Sequence, residues 1–216
     1  TGEGNTTNRL FQLAVSSAID SSGTGALIFS NTGTNGTGTG TANARTLTLT
    51  GYNKGENTIA GALVNSGASP SLTSVTKFGS GKWILSGANT FTGDLRVYGG
   101  NLTLDYGVSD ALSTGNVFTH LGTLEFKGKS TGVTTETVNN LTLSDGINGL
   151  VRLVPNGNGG SGVNLTINTL NSNAGNSQRH DLIDISGNAG NSITVGAGGT
   201  AVGMTNGVLM GAGSGR

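Results

Sequence analysis

The sequence predicts an all-β fold, a solenoid whose strands stack rung upon rung, and three observations lead to it. Apolar residues fall in short alternating runs, Trp83 with Leu85, Leu95 with Val97 and Leu102 with Leu104, and glycines close the gaps between them. Such alternation is the period of a strand with one buried face, and it excludes an amphipathic helix. Two-residue Asn-Gly or Asp-Gly hairpin signals are missing between these runs, so nothing asks the strands to fold back antiparallel. Further apolar-polar-apolar triplets continue down the chain, several of them roughly 20 residues apart, the interval of a solenoid.

Taken in order, the first candidate strand is the run from Leu10 to Val15, followed by Ile19 and then Leu27 with Phe29. Arg9 ahead of that run imitates a signal peptide, but the apolar stretch is short and broken by Gln12, so a strand is expected. Residues 33–44 are a low-complexity loop of Gly, Thr and Asn. A strand at 46–50 opens an internal repeat at about 47–67. It aligns Leu49, Gly51, Asn53, Ile59 and Gly61 with Leu85, Gly87, Asn89, Phe91 and Gly93 if 54–57 are an insertion. Triplets follow at 124–126, 141–143, 151–153, 165–167, 183–185 and 193–195, each with a polar centre that points outward. About ten rungs at ~4.8 Å would extend on the order of 45 Å. The start at Thr1 without Met fits a mature or excised piece, and the tail GAGSGR reads as a flexible end or a cut between rungs. No linker rich in Pro or charge interrupts 1–216, so a single solenoid segment is expected.

The stretch from Lys77 to Leu104 resembles a known family. Lys77, Gly79, Gly81, Trp83, Leu85, Ser86, Gly87, Asn89, Phe91, Gly93, Val97, Gly100, Leu102 and Leu104 match, in order and spacing, the autotransporter-associated β-strand repeat of bacterial passenger regions. The resemblance implies a right-handed parallel β-helix and export across the outer membrane to the cell surface or medium. It also implies service as a stalk, adhesin or surface fibre. The chain departs from the family at Leu95, Arg96 and Tyr98, where small polar residues are usual, and outward-facing bulk is expected there. The segment from Asn8 to Gly33 is similar to the one that often precedes this repeat.

Composition agrees with a narrow solenoid. The chain has 40 glycines, 2 prolines, 33% apolar and 10% charged residues. Average glycine usage is about 7%, yet no three-residue period points to collagen. The formal net charge is zero and neither sign forms a run, so no basic stripe suits nucleic acid. Cysteine is absent, which removes thiolate chemistry and thiolate zinc sites. No apolar run is long enough for a membrane helix.

Candidate sites are weaker than the architecture. Gly157, Gly159 and Gly162 satisfy GxGxxG, but a strand rather than a helix is expected after them, which favours a glycine-rich corner over a dinucleotide site. The run from Gly159 to Ile167 resembles a calcium-binding nonapeptide with Asn164 in place of its aspartate, and a single copy lacking the carboxylate builds no site. Arg179, His180, Asp181 and Asp184 are the densest ionisable cluster, and solvated surface charge is favoured over polysaccharide cleavage. Trp83 is expected in the core rather than against a sugar, whereas Arg96 and Tyr98 are candidates for surface contact. Asn5, Asn101, Asn140 and Asn164 begin N-x-S/T sequons and are expected unmodified. The expected function is therefore structural and non-enzymatic, without catalytic residues, metal or cofactor. Homotypic association or continuation into further repeats is expected. The alternatives are an adhesin for glycans or a host surface and a polysaccharide-cleaving solenoid.

Overall fold

The structure, a computed structural model, describes residues 4–36, 44–65, 72–107, 116–119, 121–143, 149–156, 160–172, 182–184, 190–196, 203–205 and 208–210. Among them there is no helix. Two eight-stranded sheets dominate, and the chain alternates between them.

The first sheet stacks, in order, β1 (Asn5–Thr7), β3 (Leu27–Phe29), β6 (Asn57–Ile59), β9 (Lys82–Leu85), β11 (Asn101–Asp105), β13 (Thr123–Lys127), β15 (Leu150–Val154) and β17 (Leu182–Asp184). The second stacks β2 (Ser17–Asp20), β5 (Arg45–Thr50), β8 (Thr73–Lys77), β10 (Leu95–Val97), β12 (Asn116–Thr119), β14 (Gly132–Leu143), β16 (Gly160–Ser172) and β18 (Ser192–Val195). Every pairing within both sheets is parallel. A minor parallel pair, β4 (Thr34–Asn35) with β7 (Ala62–Leu63), forms between the two sheets' strands in the second and third rungs. Among the described residues, eight rungs at ~4.8 Å span roughly 34 Å.

Residues in register form columns along the axis, and the inward columns make the core. On the first sheet Ile59, Leu85, Leu104, Phe126 and Leu153 succeed one another, and beside them run Trp83, Leu102, Leu124, Val151 and Ile183. Facing them on the second sheet is the column Leu47, Val75, Leu95, Val117 and Leu141. Each rung alone has one apolar edge, and only stacking removes it from water. The neighbouring column reads Leu49, Lys77, Val97, Thr119, Leu143, so a lysine stands among aliphatic side chains.

Several sequence expectations change. The run from Leu10 to Val15 is not a strand. Gln12 makes one isolated bridge to Gly36, Leu10 and Val15 are exposed, and the strand lies later, at Ser17–Asp20. Leu95 does not add bulk outside: it is 1% exposed, because it shares parity with Val97 and both point into the core. Thr34 and Asn35 are strand within the expected loop, whose residues 37–43 lie outside those described. The repeat register also differs, since Ile59 rather than Leu49 stacks on Leu85, and Leu49 stacks on Lys77. Asn57, read as part of an insertion, is instead a strand residue paired with Trp83. Near the end of the chain, β19 (Gly203–Thr205) and β20 (Val208–Met210) pair antiparallel.

Candidate functional site

A dense set of specific interactions lies where β8 and β10 turn from the second sheet into β9 and β11 of the first. Lys77 ends β8 with an inward side chain that is fully buried. Its Nζ donates to the carbonyls of Phe78 at 2.6 Å, Gly79 at 2.8 Å and Gly99 at 3.1 Å, which binds one turn to the next. Burial lowers its pKa from 10.5 to about 8, because the charged form loses hydration. The turn admits little else. Gly79 has φ +72° and a Cβ there would stand 2.6 Å from the Gly51 oxygen; Gly100 has φ +64° and its Cβ would stand 2.3 Å from the Gly81 oxygen. Both positions demand glycine for conformation and for space.

Trp83 closes the corner from within, its indole Nε1–H donating to the Thr50 carbonyl at 3.0 Å across the rung below. Beside it, buried Asn57 accepts from Ser21 Oγ at 2.5 Å and the Leu27 amide at 2.9 Å, and donates to the Lys82 carbonyl at 2.7 Å. One amide thus joins successive rungs and satisfies groups that packing would otherwise leave unpaired. At the opposite turn Asn89 Oδ1 accepts from the Leu63 amide at 2.8 Å, Phe91 is buried, and Gly87 and Gly93 lie against the backbones of Gly61 and Thr73.

Outside the same corner, Phe78 and Tyr98 stack with ring centroids 4.8 Å apart and planes at 13°. Arg96 points outward and its guanidinium donates to Asp94, whose other oxygen accepts from Asn116 Nδ2 at 3.1 Å.

This corner coincides with a recognised unit: residues 75–104 match the passenger-associated-transport-repeat. The chain carries that repeat. Over 140 residues it is also 35% identical to the adhesin BmaC autotransporter of Brucella suis biovar 1 (strain 1330), an alignment covering 61% of this chain and 4% of that protein. The chain thus spans a small fraction of that relative's length. No solved structure matches the chain.

Within the repeat, Gly79, Gly81 and Gly100 form the Lys77 corner, Trp83, Leu85, Leu102 and Leu104 fill the core, and Gly87, Asn89 and Gly93 form the opposite turn. Beyond the repeat the other candidates stay apart. Gly162 lies in β16 with φ +121°, so strand follows it and no helix N-terminus is offered; Gly157 and Gly159 lie outside the described residues. Asn164 accepts from Ser192 Oγ at 2.8 Å. Arg179, His180 and Asp181 lie outside the described residues, while Asp184 accepts from Arg152 Nε at 3.1 Å. Arg152 also meets Glu125 at 3.4 Å, so the outer face of the first sheet carries a ladder of alternating charge. An open recess of about 270 Å³ near the first rung is lined by Asp20, Ser21 and a glycine-rich turn, with Asp20 as its one ionisable lining residue. No cluster of metal-ligating side chains is present among the described residues. The sequence reading missed Asn57 and the burial of Lys77. The signal for Lys77 was its shared strand parity with Val75.

Proposed function

We propose that residues 1–216 are a single, non-enzymatic scaffold segment of an autotransporter-type surface protein, a right-handed solenoid exported across the outer membrane. The observation that carries this reading is the pair of eight-stranded parallel sheets with the transport repeat at their centre. Parallel crossovers are right-handed almost without exception, which supports the handedness. The mechanism is mechanical: backbone hydrogen bonds run along the axis, apolar columns fill the interior, and asparagines such as Asn57 and Asn89 hold the turns. Further repeats or a second copy extend the assembly. The test is to exchange this segment, in cells displaying the parent protein, for an unrelated solenoid with the same number of rungs. Unchanged display and adhesion are expected; retained display with lost adhesion overturns the scaffold reading.

A second reading is an adhesive contact with glycans or a host surface through Arg96 and Tyr98. It is supported by the adhesin among the relatives and by the partial exposure of Tyr98. Binding on a broad glycan array that disappears in Tyr98→Ala supports it, and an array without binding removes it.

A further inference from the structure

The last strands of the two large sheets are covered unequally. Among the described residues β17 ends the first sheet and pairs on one side only, with β15, yet its core residue Ile183 is 2% exposed. β18 ends the second sheet in the same way, pairing with β16 alone, and there Ile193, in register with buried Leu165, stays only partly buried. The β19–β20 hairpin accounts for the difference. β20 packs against β17, but the hairpin is a separate two-stranded sheet and adds no rung to the ladder. We propose that this hairpin is a cap, which covers the free edge of the first sheet and closes it to a further strand. The cap goes beyond the scaffold reading and depends on neither export nor display.

A terminal parallel strand presents unpaired N–H and C=O groups along one side, and such an edge recruits any strand able to complete it. Covering the edge with a short element blocks that addition without continuing the stack. The hairpin suits the task because its two strands pair with each other: Gly203 stands opposite Met210, Met204 opposite Leu209 and Thr205 opposite Val208. Its pairing is antiparallel, whereas every pairing in the two large sheets is parallel. In a solenoid each rung is held by its neighbours, so a strand paired on one side opens first, and β17 has only three residues to resist opening. A rung added beyond β17, from a second copy or from more of the same chain, has to displace the hairpin.

The test reads amide hydrogen exchange on the whole chain. In the unaltered chain β17 is expected to exchange at least about tenfold more slowly than β18, the other strand paired on one side. Met204→Pro with Leu209→Pro breaks the hairpin, because proline carries no N–H and is poorly tolerated within paired strands. In that variant β17 should exchange about tenfold faster, while β9, in the middle of the stack, keeps its rate. In concentrated solution the variant should also contain about three times as much associated material by sedimentation, since the bared edge takes a strand of another copy. Should the variant fail to fold by circular dichroism, the comparison of β17 with β18 in the unaltered chain decides alone. Equal exchange at those two strands, a β17 rate that the prolines leave unchanged, or a bared β17 without added association overturns the cap. The segment-exchange experiment reports on the scaffold reading independently of these outcomes.

Discussion

A buried ammonium makes Lys77 a reporter of pH. Its folded pKa, about 8, lies below the ordinary 10.5. Between those values the folded chain has released a proton that the unfolded chain still holds, so stability rises with pH across that window. Below about 8 both states are protonated and this group contributes no slope. The slope is at most about 1.4 kcal/mol per pH unit, the value for a difference of one bound proton between the two states. Denaturant midpoints taken through the window should rise, and Lys77→Met should flatten them. Two rungs further along the same column, Thr119 is fully buried and its Oγ1 has no hydrogen-bond partner among the described residues. Thr119→Val keeps the shape and removes the stranded hydroxyl, so a gain of about 1 kcal/mol is expected from equilibrium unfolding.

At the scale of elements, the turns hold more specificity than the strands. Gly100→Ala places a methyl against the Gly81 oxygen and the Lys77 ammonium in a left-handed backbone, and a loss of about 2 kcal/mol or more is expected in the unfolding free energy. Asn57→Ala leaves the Leu27 amide, the Ser21 hydroxyl and the Lys82 carbonyl without their shared partner. A loss of about 3 kcal/mol is expected, read as a lowered Tm. Strand columns are more forgiving because each contact is apolar and non-directional. The sequence reading found those columns easily and placed Asn57 outside them, since an asparagine bonding to rungs on both sides has no local period.

For the whole molecule, stability is a sum over neighbouring rungs. The strands of the first rung are largely exposed, whereas β9, β10 and β11 have buried residues and a paired strand on each side. Amide exchange should therefore be slowest at the transport repeat and faster in β1 and β2 by about an order of magnitude. Equal protection along the axis would show that the solenoid opens as one unit.

Strand type, direction and the position of the repeat were legible in the sequence, because alternation and glycine spacing act between residues close in the chain, as at Trp83, Leu85, Leu102 and Leu104. The transport repeat itself was readable for the same reason. Register was not: that Ile59 covers Leu85 and Leu49 covers Lys77 depends on how adjacent rungs align, and turns of unequal length hide that relation. The tertiary structure alone decided that a lysine is buried, that Asn57 is a junction, and that β20 lies against β17. Each of these is a contact or an alignment between residues distant in sequence, and it exists only once the rungs have stacked.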